Sequence, residues 1–280
     1  MSTYKSEVIQ RIFERRWDAV EKRLTDPVVS LQEVASEILA YNDRHGGVPV
    51  SARNPANFFK DIVRNLKSAN EVWPQSVFLR GYTGARITTR GACFGFVPLP
   101  PDAVHAFEII TPSENAKRAP ISTLSIPPLA RAQSRKDETW LTQVAVRLHV
   151  IETHLSVSSP QPVTYVELLQ IGLKQNLAEI DALYMAHLEG GRNAIITVEA
   201  KTKDDIYSGQ IVAQVLAVWQ MKSLKDVDID IVIPIALKSI GNSEIYVAEF
   251  EAQSSNRSFP GAITRVGETI LTLKPRLRNL

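Results

Sequence analysis

A single cysteine, Cys93, serves the whole chain of 280 residues, which excludes an internal disulfide framework and any multi-cysteine zinc site. Cys93 is therefore expected to be a small buried apolar residue in a reducing cytoplasm. No apolar run approaches the ~20 residues that span a bilayer, and the N-terminus, carrying Lys5, Glu7, Arg11 and Glu14, has no signal-peptide core. The chain is accordingly expected to be soluble and cytoplasmic. Nucleotide-binding signatures are missing too, with no P-loop and no dinucleotide-binding glycine fingerprint, and there is no Gly-x-Ser-x-Gly nucleophile elbow. The five histidines, His45, His105, His149, His154 and His187, show no metal-ligand spacing. Net charge is only +2, so a nucleic-acid partner does not follow from the total.

The distribution of charge is more informative. From Arg44 to Arg90 there are eight Arg or Lys and two acids, Asp61 and Glu71. Apolar residues at helical spacing predict a first helix over 5–24. Ser30 with Glu33 three residues on reads as a capping box opening a second helix through Tyr41, and Gly46 and Gly47 break the chain. Asn54 and Pro55 predict an N-cap and first turn for a third helix to Ser68. Its polar side carries Asn57, Lys60, Asp61, Arg64 and Lys67. Segments 76–82 and 85–96 read as two strands, with Arg80, Arg86 and Arg90 among them. Three helices and a basic hairpin suggest a mainly helical winged helix-turn-helix-like domain over 1–115. Asn57, Lys60, Arg64, Arg80, Arg86 and Arg90 become candidate DNA contacts, against the alternative of an ordinary solvated face.

Residues 116–132, with Pro120, Pro127 and Pro128, read as an interdomain connection. The second domain is expected over 133–280. It should hold a helix over 137–155, strands over 163–173, 179–187 and 194–200, a helix over 206–221, and strands over 228–237 and 243–252. Gly190 and Gly191 predict the turn of a hairpin that brings Asp181 beside Glu199. Glu199 and Lys201, two apart on a strand, project from one face. Two carboxylates and an ammonium in one small site suit a divalent cation and phosphodiester hydrolysis.

This combination resembles the PD-(D/E)xK nuclease superfamily, to which most type II restriction endonucleases belong. The resemblance covers roughly 137–240 and rests on Asp181, Glu199 and Lys201 within an αβββαβ order of elements. It implies a mixed central sheet flanked by helices. Asp181, Glu199 and the Ala200 carbonyl would bind Mg²⁺, and Lys201 would orient or activate the attacking water. The products would be 5′-phosphate and 3′-hydroxyl ends. One departure is that Glu179 and Ile180, with no proline, precede Asp181, which leaves Glu179 as a rival acid. Glu138 and Glu152 on the preceding helix are weaker candidates for an extra acid. Gln210 and Gln214, four apart on the crossover helix, could touch DNA or the site, and Lys274, Arg276 and Arg278 could contact phosphate. A restriction enzyme would act as a homodimer on double-stranded DNA, with a cognate DNA methyltransferase encoded nearby. The alternatives are a repair or structure-specific endonuclease of the same fold, and a DNA-binding regulator with an inactive nuclease-like domain.

Overall fold

The computed structural model describes residues 3–46, 48–87, 90–175, 178–224, 227–254 and 259–280; Gly47, expected to help break the chain after the second helix, lies outside them. The chain forms two compact units, one of residues 1–109 with 207–213, the other of 110–206 with 214–280.

In the first unit, α1 (Tyr4–Arg16) buries Val8, Ile9, Ile12 and Phe13. It stops eight residues short of the expected end. The Asp18 carboxylate instead accepts from Val20 N and Glu21 N, and a small hairpin of β1 (Trp17–Asp18) and β2 (Arg23–Leu24) follows. Val20, which seemed to extend the apolar stripe, is exposed. After β3 (Val28–Ser30), the expected capping box opens α2 (Leu31–His45), with Glu33 N donating to Ser30 Oγ at 3.1 Å and Ser30 N to Glu33 Oε2 at 3.0 Å. The expected helix over 54–68 is broken. Asn54 makes no capping bond, Pro55–Asn57 is a 3₁₀ turn, α3 spans Phe58–Val63, and Asn65 caps a separate α4 (Leu66–Val72). The strand expected over 76–82 is instead α5 (Gln75–Phe78). Residues 88 and 89 of the strand expected over 85–96 lie outside the described residues; β4 (Tyr82–Ala85) and β5 (Ala92–Pro98) join β3 in a three-stranded antiparallel sheet ordered β3-β5-β4.

Aromatic rings fill the interior of this unit. Phe59 stacks on Phe94 at 5.2 Å and Trp73 meets Phe107 edge-on at 5.2 Å. Each such ring contributes about 1.5–3 kcal/mol by burial. Gly84 passes so close that a Cβ there would lie 2.5 Å from Phe59 and 2.7 Å from Trp73. Cys93 is buried as expected, and burial pushes its thiol up to about 11.

In the second unit the residues expected to be a plain connection contribute β6 (Lys117–Ser122) and α6 (Pro128–Ala132). The helix expected over 137–155 is two, α7 (Glu138–Arg147) and α8 (Val150–Ser158), because His149 turns left-handed at φ 54°. Then come β7 (Val163–Gln175), β8 (Ala178–Leu188), β9 (Asn193–Lys201), α9 (Ser208–Trp219), β10 (Ile231–Gly241), β11 (Glu244–Phe250), β12 (Gln253–Ser254) and β13 (Arg265–Lys274). The mixed sheet runs β6-β13-β11-β10-β9-β8-β7, with β12 on β10. β9–β10 and β6–β13 are parallel and the other pairs antiparallel.

Helices cover both faces of the sheet. On one, Trp140, Leu141, Val144 and Ile151 pack on Tyr184, Ile196, Val198 and Ile235. On the other, Val215 and Val218 of α9 pack on Leu183, Ile195 and Val232. Coverage on both sides explains why β9 reads as a continuous apolar run. A polar cluster sits deep between α8 and the strands: His154 reaches Thr269 Oγ1 at 2.9 Å and Glu249 Oε2 at 3.3 Å, and Ser159 Oγ donates to Glu249 Oε1 at 2.9 Å. Among the described residues no helix is long and apolar enough to cross a membrane.

Candidate active site

The β8–β9 hairpin turns at Gly190 and Gly191, with φ of 80° and 77°, a left-handed backbone that glycine adopts without strain. Its antiparallel ladder runs from His187↔Asn193 down to Ala182↔Val198 and stops there. One residue further, Asp181 takes over. Its Oδ2 accepts from Ala200 N at 2.7 Å, so a carboxylate satisfies the amide where the ladder ends. β9 continues along β10, whose register pairs Glu199 with Ala236 and Lys201 with Lys238.

Alternation along β9 puts Ile195, Thr197, Glu199 and Lys201 on the face covered by α9. There Lys201 Nζ lies 3.0 Å from Glu199 Oε1 and 3.2 Å from the Ala200 carbonyl. The second Glu199 oxygen accepts from Gln214 Nε2 at 2.6 Å, and the same amide nitrogen approaches Val198 O at 3.3 Å. Sequence spacing brings Asp181, Glu199 and Lys201 together as expected. Of the two roles open to Gln214, a DNA contact or a contact with the site, the structure shows the second: the residue is buried, 2% exposed, and holds Glu199. Among the described residues the Gln214 Oε1 has no hydrogen-bond partner.

These surroundings set the charge of the site. Burial pushes the Glu199 carboxyl up to about 7, against the opposing pull of Lys201. Burial also raises Asp181, partly offset by the Ala200 N–H and Lys201. Burial works to lower the Lys201 ammonium, but the adjoining Glu199 more than reverses it, so Lys201 is raised. Glu138 at the start of α7 and Glu179 on β8 both add negative potential at Asp181. Glu152 is elsewhere, 3.1 Å from His149 on α8.

Among the described residues no group of three His, Cys, Asp or Glu side chains is placed to hold a metal. A cation here would draw on two carboxylates and the Ala200 carbonyl. That set fits a hard divalent ion. The Lys201 ammonium already touches two of the three proposed donors, Glu199 and the Ala200 carbonyl, so the pocket accepts positive charge.

The expected DNA contacts of the first unit lie at its surface. Asn57, Lys60 and Arg64 are exposed along the 3₁₀ turn and α3, and Arg86 and Arg90 are exposed between β4 and β5. The Arg80 guanidinium is exposed yet rests over Phe13 and Trp17 at 5.8 and 5.4 Å, so part of its surface is already engaged. Gln210 is half-buried, and its Oε1 accepts from Tyr207 N at 3.1 Å at the start of α9. Lys274, Arg276 and Arg278 are exposed at and after the end of β13. Compared with protein-family models, curated proteins and solved structures, the chain finds no match in any of the three.

Proposed function

We propose that this chain is a Mg²⁺-dependent endonuclease of double-stranded DNA, a type II restriction enzyme whose second unit cleaves and whose first unit recognises. The observation that carries this reading is the meeting of Asp181, Glu199, the Ala200 carbonyl and Lys201 at the end of one strand pair, with Lys201 3.0 Å from Glu199. The order of helix, three antiparallel strands, crossover helix and parallel strand supports a PD-(D/E)xK core. In the first unit, the β3-β5-β4 sheet with α1, α2 and α3 supports a winged-helix reading, with Arg86 and Arg90 beside the wing tip.

Asp181 and Glu199 would hold the ion together with the Ala200 carbonyl. Bound Mg²⁺ would supply charge against the scissile phosphate and acidity to the attacking water. Lys201 contributes a preorganised ammonium where negative charge grows on the phosphoryl oxygens. Gln214 fixes the carboxylate it bonds, so Glu199 need not reorganise as DNA enters. In-line attack joins the water oxygen to phosphorus and breaks the bond to O3′. The attacking water gives up one proton to solvent and the departing O3′ takes one up from a solvent water, leaving a 5′-phosphate and a 3′-hydroxyl.

Cutting both strands of a palindrome calls for a two-fold dimer, and a methyltransferase partner would protect host sites. The test is digestion of a sequenced plasmid with Mg²⁺ and mapping of the ends. Discrete fragments that disappear in Lys201→Ala, with DNA binding retained, are expected. Undiminished cutting by Lys201→Ala would refute the assignment.

A further inference from the structure

β10 ends its parallel pairing with β9 at a second lysine. The register sets Val232, Pro234, Ala236 and Lys238 beside Ile195, Thr197, Glu199 and Lys201. Adjacent strands of a sheet are about 4.8 Å apart, and residues paired in a parallel ladder point to the same face. Lys238 therefore leaves the sheet on the α9 side, next to Lys201. Ala236 beside Glu199 is small and leaves room between them. Both lysines stand at the carboxyl end of the parallel β9–β10 ladder, the side on which open α/β sheets bind their ligands.

Lys238 is not a freely solvated charge. Its side chain is only 15% exposed, and Nζ lies 2.6 Å from Asp205 Oδ1 in the segment joining β9 to α9. Asp205 itself is 48% exposed, so the pair is open to solvent on its acidic side. A phosphate arriving at Lys201 brings its neighbours on the same strand, each advanced by about 3.4 Å along the duplex axis. A lysine one β-strand away can reach the next of them with its flexible side chain.

We propose that Lys238 is a second phosphate-binding cation of the cleavage site, held on Asp205 in the free protein and transferred to the phosphate next to the scissile one when DNA binds. The proposal rests on the nuclease reading of Asp181, Glu199 and Lys201, and adds a residue that positions the substrate backbone. Its ligand is any nucleic-acid phosphodiester, without regard to base.

The two partners then have opposite effects. Lys238→Gln removes a phosphate contact, whereas Asp205→Asn releases the lysine from its competitor. A pair that merely staples the 202–206 segment to β10 would make both variants err in the same direction. The experiment measures binding of a labelled mixed-sequence duplex to the full chain across a salt series, without divalent metal and hence without cleavage. Lys238→Gln is expected to weaken binding several-fold and to reduce the slope of log K against log salt by about 1. Asp205→Asn is expected to tighten it. Weaker binding by both variants, an unchanged slope in Lys238→Gln, or no duplex binding by the parent protein each overturns the proposal. The nuclease reading is judged separately, by Mg²⁺-dependent cleavage in the parent chain and its loss in Lys201→Ala.

Discussion

Replacing Glu199 by glutamine should make the protein more stable at high pH while abolishing the proposed DNA cleavage. The Glu199 carboxyl rises from an ordinary 4.5 to about 7 because burial penalises its charged form. The folded state therefore holds the proton more tightly than the unfolded chain. Its contribution to stability is complete below about pH 4.5 and is lost as pH rises through 7. At ~1.4 kcal/mol per pH unit, the gap amounts to about 3 kcal/mol at pH 8. A glutamine keeps the shape and accepts from Lys201, and if the Gln214 amide turns over, its N–H donates to Gln214 Oε1, which has no partner among the described residues. The attraction to Lys201 is already contained in the net rise of the Glu199 carboxyl. For a unit of this size ~1 kcal/mol moves the melting temperature by about 2–4 °C, so an increase of roughly 6–12 °C at pH 8, shrinking toward zero at pH 5, is expected. Thermal unfolding of both proteins from pH 5 to 8 reads this directly. Adding Mg²⁺ at about 100 times its Kd should stabilise only the parent, by about 2.7 kcal/mol. A difference between the proteins that stays flat from pH 5 to 8 would refute the argument that burial holds this carboxyl up.

Three further outcomes are expected. Gln214→Leu leaves one Glu199 oxygen without its 2.6 Å donor, and should lower kcat by at least tenfold with KM for DNA little changed, as steady-state cleavage would measure. Lys60→Ala and Arg64→Ala should weaken duplex binding about equally on all sequences and reduce the salt slope by about 1 each, whereas Asn57→Ala, in the 3₁₀ turn that leads into α3, should alter sequence preference. Glu249→Ala strands the buried His154 and Ser159, and should cost on the order of 3 kcal/mol in urea unfolding without changing duplex affinity.

The central hairpin and crossover were legible because both strands are apolar runs bounded by glycines, and because Glu199 and Lys201 share a face wherever β9 is a strand. What escaped depended on distant partners. β6 lies at a sheet edge with Pro120 in it, and is extended only because β13, some 150 residues later, pairs with it. α1 and α3 were read too long because periodicity persists past the point where Asp18 and Asn65 side chains capture backbone amides. Gln214 was visible as a residue of the crossover helix. Which way it faced was not, since that depends on how α9 lies on the sheet.

The Asp181 bond to Ala200 N makes the proposed site lopsided in how it would decay over evolutionary time. Lys201 bonds no amide of the ladder, and Glu199, already pushed up to about 7 by burial, can answer the loss of that ammonium by taking a proton, so a lineage released from selection for cutting could drop the charge without opening the sheet. Asp181 stands in for a missing rung of the ladder, and its loss would bare a sheet amide at a cost of about 1–3 kcal/mol. Descendants that keep this fold after abandoning the chemistry should therefore retain the aspartate and lose the lysine first, leaving a carboxylate that testifies to an activity no longer performed.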